Sequence, residues 1–96
     1  MKVAILTEGN KKIGFGHISR CMAIYDLFND QKIQIQMFIN GDDSINSLIE
    51  NRNTIIIDWL KQKERIFEIL GEYNVVFIDS YLSNFSFYEK ISQIPD

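Results

Sequence analysis

Short apolar segments rich in strand-forming residues alternate with segments whose apolar residues recur at helical spacing, and this alternation most constrains the fold. Strands are predicted at residues 3–7, 35–39, 54–57 and 75–78, and helices at residues 17–30, 44–51, 59–71 and 85–94, where Pro95 ends the last helix. Strands that alternate with helices form a parallel sheet with helices packed on both of its faces. The sequence therefore predicts an α/β fold.

The order of the predicted strands determines where a ligand would bind. If the first three strands wind outward and the fourth returns beside the first, right-handed connections give a Rossmann-like open sheet of order 3-2-1-4. The winding then reverses between strands one and four, and open α/β sheets bind ligands at such a switch point, beyond the carboxyl ends of the strands. The segments expected there are residues 8–17 and 79–81.

The most informative local pattern is IGFGHISRC at residues 13–21. Gly14 and Gly16 allow a tight turn and a close approach of the backbone to a ligand. His17 is expected in the first helical turn, where N–H groups point outward and negative charge is favoured, and a neutral imidazole there can take a proton from a water or a hydroxyl. Arg20, one turn later, can bind a carboxylate or a phosphate.

A purely structural interpretation of the same residues stays open. In it, the glycines only make a turn, His17 caps the helix, and Arg20 is solvated. The pattern also differs from the dinucleotide-binding fingerprint, because Ser19 stands where that fingerprint has its third glycine.

The complete string, a strand followed by I-G-x-G-H-x-x-R-C at the start of the first helix, resembles a known group of enzymes. These are the UDP-2,4-diacetamido-2,4,6-trideoxy-β-L-altropyranose hydrolases of the pseudaminic-acid pathway and the related spore-coat polysaccharide biosynthesis proteins. Both groups are relatives of the GT-B glycosyltransferase that adds N-acetylglucosamine to lipid-linked peptidoglycan precursors. The segment Asp79-Ser80-Tyr81 after a hydrophobic strand resembles the Asp-x-Tyr of the same family.

The resemblance implies a mechanism and a set of site residues. His17 would activate a water that attacks the anomeric carbon of a UDP-amino-sugar with inversion, which releases UDP and the free sugar. Gly14 and Gly16 would let the backbone approach the sugar or the diphosphate, and Asp79 and Tyr81 would line the sugar side of the cleft. Arg20 is included among the candidate substrate-binding residues. The family implies neither a metal nor another cofactor.

The chain departs from the family at the end of the first strand. The hydrolases carry a pattern like R-x-D-G there, whereas this sequence has Leu6 and Glu8 in the places of the arginine and the aspartate. This departure favours the broader spore-coat or glycosyltransferase-like group, with Glu8 as a candidate substrate-binding residue. Because GT-B enzymes hold the nucleotide mainly in their C-terminal domain, residues 1–96 are expected to form part of the N-terminal, sugar-side domain, and the nucleotide-binding domain is expected outside this chain.

Composition restricts the remaining classes of function. The formal net charge of -3 does not suggest a nucleic-acid binder, which usually carries a basic patch. No apolar run approaches the roughly 18 residues that span a membrane, and no signal peptide is recognised, so a cytoplasmic protein is expected. Cys21, the single cysteine, is expected in the core, and one histidine with one cysteine offers no metal-ligand spacing.

Four functions remain as hypotheses from the sequence. The chain belongs to a nucleotide-sugar hydrolase, belongs to a GT-B glycosyltransferase, binds a phosphate or a sugar without chemistry, or is an inactive fragment that self-associates through its uncovered sheet edge. Structural roles are preferred for three further residues. Asp42 and Asp43 are expected to cap the helix that follows rather than to bind a ribose hydroxyl, and Trp59 is expected in the core or at a domain interface.

Overall fold

The computed structural model describes residues 1–80 of the chain, which form an alternating α/β fold. The elements are β1 (Lys2–Gly9), α1 (Gly16–Asp30), β2 (Gln34–Gly41), a 3₁₀ turn (Asp43–Ile45), β3 (Thr54–Ile56), α2 (Lys63–Leu70) and β4 (Val75–Asp79). All four predicted strands are present. The helix predicted at residues 85–94 lies outside the described residues.

The four strands form one parallel sheet of order β3-β2-β1-β4, which confirms the predicted Rossmann-like arrangement. The central strand β1 pairs with β2 from Lys2↔Gln34 to Gly9↔Gly41, and it pairs with β4 as far as Thr7↔Asp79. The direction of winding reverses between β1 and β4. The switch point of the sheet therefore lies at the carboxyl ends of these two strands.

Helices cover both faces of the sheet, and each face has its own apolar core. The fully or nearly fully buried side chains on the α1 face are Val3, Ile5, Ile18, Cys21, Tyr25, Ile35, Met37, Ile39 and Ile45. Those on the α2 face are Ala4, Leu6, Phe38, Ile57, Trp59, Ile66 and Leu70. Because successive residues of a strand point to opposite faces, β1 contributes alternately to the two cores. The burial of Cys21 confirms its predicted place in the core.

The helix predicted to begin at residue 59 begins four residues later. Asp58 organises a turn instead: its carboxylate accepts from the backbone N–H of Lys61 at 3.1 Å, and its carbonyl accepts from the N–H of Gln62 at 3.0 Å. Trp59 is fully buried, and its indole N–H donates to the carbonyl oxygen of Thr7 at 2.8 Å. The prediction of a core role for Trp59 is confirmed, but this residue ties the loop to β1 and lies outside α2.

The helix predicted at residues 44–51 is wrong, because only one 3₁₀ turn forms there. The carboxylate of Asp42 accepts from the backbone N–H of Ser44 at 2.9 Å, which confirms its capping role. Short polar side chains of this kind compete with the helical hydrogen bonds of the backbone, and the segment contains several of them. Asn51 then takes a left-handed conformation with φ of 65°.

Strands β1 and β2 each continue two residues beyond their predicted ends. Their last residues, Gly9 and Gly41, pair directly, and a Cβ on Gly41 would lie 2.7 Å from the carbonyl oxygen of Gly9. A Cβ on Gly9 would overlap the side chain of Ile18 and lie 3.1 Å from the carbonyl oxygen of Gly14. Gly9 is therefore the residue that allows α1 and the loop before it to pack closely over the end of β1.

We expect Gly9→Ala to lower the free energy of unfolding by about 1–3 kcal/mol, because the added methyl overpacks against Ile18 and the backbone. Gly71→Ala is the matched control: Gly71 has helical φ of -59°, and its Cβ would make only ordinary contacts. Urea denaturation of both variants measures the difference. If Gly9→Ala and Gly71→Ala were equally stable, the close approach of α1 to β1 would be contradicted.

Candidate functional site

The candidate site lies at the switch point, where the first turn of α1 meets the end of β4. His17 is the second residue of α1, and Asp79 is the last residue of β4. The two residues are 62 positions apart in the sequence. They meet because β1 and β4 are neighbours in the sheet and because α1 follows β1 after a short loop.

The loop at residues 10–15 is closed by its own hydrogen bonds. The backbones of Asn10 and Gly14 bond to each other in both directions, at 2.8 and 3.3 Å. The side-chain oxygen of Asn10 accepts from the N–H groups of Lys12 and Ile13 at 2.8 and 2.9 Å. Gly14 has φ of +88°, a conformation that other residues rarely adopt. This small loop brings the chain directly from β1 into the first turn of α1.

A short polar contact joins His17 to Asp79. The Nδ1 of the imidazole lies 2.5 Å from Oδ1 of the carboxylate. His17 is buried, with 6% of its surface exposed, whereas the side chain of Asp79 is 28% exposed. A hydrogen bond to an ionised carboxylate is charge-assisted and is stronger than one between neutral groups.

Arg20 binds the same carboxylate through two nitrogens. Its Nε lies 2.9 Å from Oδ2 of Asp79, and its Nη2 lies 3.0 Å from Oδ1. Two parallel N–H bonds of this kind fix the plane of the carboxylate as well as its distance. The sequence left open whether Arg20 binds a carboxylate or a phosphate, and in the structure it binds the carboxylate of Asp79.

The position of Nη2 also determines how the contacts of the imidazole are assigned. The Nη2 of Arg20 lies 2.9 Å from Nδ1 of His17, but a guanidinium only donates. Nδ1 cannot accept this bond and also donate to the negatively charged oxygen 2.5 Å away. We assign the proton to Nδ1, which donates to Asp79. Nη2 of Arg20 then lies close to Nδ1 of His17 because both nitrogens donate to the same oxygen, Oδ1 of Asp79.

The surroundings of Asp79 favour its ionised form. The hydrogen bonds from the Arg20 guanidinium lower the pKa of the Asp79 carboxyl below its usual range, and the contact with His17 acts in the same direction. Partial burial opposes this shift and does not overcome it. The site therefore holds a permanent carboxylate next to the imidazole at neutral pH.

This arrangement determines the chemistry available to His17. A carboxylate that holds Nδ1–H selects one tautomer, in which Nε2 of the neutral ring carries the lone pair. The same carboxylate stabilises the imidazolium that forms when Nε2 takes a proton. An aspartate and a histidine arranged in this way have the geometry of the pairs that act as general bases in enzymes.

Glu8 and Ser80 lie at the same ends of β1 and β4 but on the other face of the sheet. Glu8 is fully buried, and the Ser80 hydroxyl donates to its carboxylate. The predicted loop beginning at Glu8 is corrected: Glu8 belongs to β1, and its side chain points to the α2 face, as those of Ala4 and Leu6 do.

The predicted site residues are thus placed as follows. The structure brings His17, Arg20 and Asp79 into direct contact, with Gly14 and Gly16 in the adjoining turn.

Tyr81, a predicted substrate-binding residue, lies outside the described residues. His17 is not a helix cap, because Phe15 occupies the capping position and makes no side-chain capping bond. Sequence reasoning missed the bond between Ser80 and Glu8, although the alternation of side chains along β1 would place Glu8 on the α2 face.

Two surface depressions formed by residues 1–80 lie elsewhere. One of about 310 Å³ is at the amino ends of the strands, and its lining includes Lys2, Tyr25 and Tyr73. Another of about 510 Å³ lies along α2. Neither is lined by the residues of the switch point. The volumes of the depressions and the positions of the reactive side chains therefore indicate different parts of the surface. We place the candidate site at the switch point, because the Asp79 carboxyl, whose pKa is lowered, meets the His17 imidazole there.

Comparison of the chain with protein-family models, with curated proteins and with solved structures finds no match in any of the three. Within residues 1–80, neither helix is both long enough and apolar enough to cross a membrane. The functional argument for this chain therefore rests on the residues of the site.

The Arg20–Asp79 pair should contribute to stability in a pH-dependent way. Since the pKa of Asp79 is lowered on folding, its contribution is fully present above the unfolded value of about 3.9 and is lost as pH falls through the folded value. A double-mutant cycle with Arg20→Gln and Asp79→Asn should give a coupling of about 0.5–1 kcal/mol at pH 7, discounted because Arg20 is largely exposed.

The control for this cycle is the exposed pair Lys2 and Glu72, whose charged atoms lie 3.9 Å apart. Lys2→Gln and Glu72→Gln should give a coupling near zero. Two outcomes would contradict a stabilising ion pair between Arg20 and Asp79: equal couplings for both pairs, or an Arg20–Asp79 coupling that persists at acid pH.

Proposed function

We propose that this chain is the sugar-side domain of an enzyme that cleaves the anomeric C–O bond of a UDP-activated amino sugar, with His17 as the general base. The observation that carries this proposal is the bond between His17 and Asp79 at the switch point of the sheet. The resemblance of residues 13–21 to nucleotide-sugar hydrolases supplies the class of substrate. The same proposal includes a second domain outside this chain that holds the nucleotide. It also includes a cytoplasmic location.

In the proposed reaction, His17 starts as a neutral imidazole with its Nδ1–H bonded to Asp79. Nε2 takes a proton from water while the water oxygen forms a bond to the anomeric carbon on the face opposite the leaving group. The anomeric C–O bond to the diphosphate breaks, and its electron pair leaves with UDP. The carboxylate of Asp79 stabilises the imidazolium that results.

Two features of the site support an anionic leaving group. The amino end of α1 carries the positive end of the helix dipole, which favours a phosphate. Gly14 and Gly16 present no side chain there, so the diphosphate could approach the backbone closely. Arg20 acts in this proposal through Asp79, because its guanidinium orients the carboxylate and lowers the pKa of that carboxyl.

Binding can be tested on this chain by NMR. Titration with UDP and with UDP-N-acetylglucosamine should shift the amide signals of Gly14, Gly16, His17 and Asp79, and His17→Gln should retain this response. Turnover is then measured in the full-length gene product, where Asp79→Asn should lower kcat by about 10²–10⁴-fold with little change in KM. The reason is that the tautomer and the imidazolium both depend on the carboxylate.

Asp30→Asn, an exposed change at the far end of α1, is the matched control and should leave kcat unchanged. Release of UDP only when a hydroxyl acceptor is added would identify a glycosyltransferase in place of a hydrolase. Full turnover in His17→Ala would exclude His17 as the general base. A well-folded chain whose loop amides respond to neither nucleotide would contradict binding at the switch point.

A further inference from the structure

Strand β1 extends further than β4 at the end of the sheet where the candidate site lies. The pairing of β1 with β4 ends at Thr7↔Asp79, while β1 continues to Gly9 beside β2. Within residues 1–80, β1 is the only sheet neighbour of β4. In this part of the chain, the sheet therefore holds the backbone of Asp79 only through contacts with β1 at the last pair and just beyond it.

A side-chain hydrogen bond continues the association of the two strands by one residue. Ser80 directly follows β4, and Glu8 directly follows Thr7 in β1. The Ser80 hydroxyl donates to a carboxylate oxygen of Glu8. This bond lies where the next backbone pair of the ladder would have formed.

The opposite face of the sheet carries a second link between the same strands. The Thr7 hydroxyl donates to the carbonyl oxygen of Asp79 at 3.1 Å. The peptide that joins Asp79 to Ser80 is therefore held from both faces by adjacent residues of β1. The indole of Trp59 in turn fixes the carbonyl of Thr7.

The burial of Glu8 indicates a specific role for its carboxylate. None of its surface is exposed, and burial of a carboxylate is unfavourable unless hydrogen bonds compensate for the lost water. Neighbouring positions on the same face of β1 carry Ala4 and Leu6, which pack without this penalty. The bond from the Ser80 hydroxyl is one interaction that compensates for the burial of this carboxylate, and it ties Glu8 to the end of β4.

We propose that Glu8 and Ser80 are positioning residues, which form a clamp that holds the end of β4 so that Asp79 meets His17 and Arg20 in register. The clamp acts on Asp79 from the face opposite the imidazole. Its importance for turnover rests on the proposed function, whereas its effect on the geometry of Asp79 does not.

The carboxyl titration of Asp79, followed by ¹³C NMR, tests the clamp without any substrate. Ser80→Ala removes the donor and leaves both carboxylates in place. If the clamp positions Asp79, its bonds to Arg20 loosen in this variant, and the pKa of Asp79 should rise towards its ordinary value. An unchanged or lower pKa of Asp79 in a folded Ser80→Ala variant would overturn the proposal.

A pair of substitutions at Glu8 separates positioning from charge. Glu8→Gln keeps an oxygen that can accept from Ser80 but removes the negative charge, so the pKa of Asp79 should stay the same or fall. Glu8→Ala removes the acceptor, and the pKa of Asp79 should rise as it does in Ser80→Ala. If both Glu8 variants shifted the pKa of Asp79 downward, Glu8 would act through its charge alone and the clamp would be wrong.

Ser47→Ala, at an exposed serine outside the site, is the matched control for loss of a hydroxyl and should leave the Asp79 titration unchanged. Amide spectra of each variant show whether the fold is retained. The outcome also stays distinct from that of the proposed function, since the clamp is measured without a nucleotide sugar. In a chain that binds no nucleotide, the pKa of Asp79 could still respond to Ser80→Ala. In an active enzyme, the same substitution could leave this pKa unchanged.

Discussion

The carboxylate of Asp79 is the interaction on which the candidate site depends. It receives hydrogen bonds from two side chains of α1, His17 and Arg20, which lie one helical turn apart. This joint connects the last residue of β4 to the first turn of the helix that follows β1. Without it, the imidazole would lack both a fixed tautomer and a neighbouring negative charge.

Backbone packing makes this joint geometrically possible. The parallel order β3-β2-β1-β4 puts the carboxyl ends of β1 and β4 side by side. Gly9 then lets α1 pack closely over the end of β1, and the loop closed by Asn10 and Gly14 brings the chain into the helix within a few residues. Arg20 adds rigidity, because its two nitrogens hold the plane of the carboxylate that the imidazole also binds.

Much of the fold could be predicted from the sequence because its signals are periodic. The alternation of strand-like and helix-like segments was sufficient for the α/β class, and handedness and switch-point rules were sufficient for the strand order. The ends of elements were less predictable. Asp42 and Asp58 each organise a turn with their carboxylates, and apolar spacing carries no information about such bonds.

The location of the site could be predicted from the sequence, but the hydrogen bonds within it could not. Strand order places His17 and Asp79 at one edge of the sheet. The pattern of residues 13–21 predicts His17 as the candidate base at this edge. The pairing of Arg20 with Asp79 depends on register and on side-chain rotamers, which no local pattern specifies. The burial of Glu8 likewise follows from the length of β1, whose end was predicted two residues too early.

The tautomer of His17 tests the central claim most directly. Nitrogen chemical shifts of the imidazole, measured by ¹⁵N NMR at a pH where the ring is neutral, distinguish the protonated nitrogen from the one with the lone pair. The structure predicts a proton on Nδ1 and a lone pair on Nε2, because Asp79 accepts from Nδ1. A neutral ring with its proton on Nε2 would show that Asp79 does not hold the imidazole, and the general-base account would be contradicted.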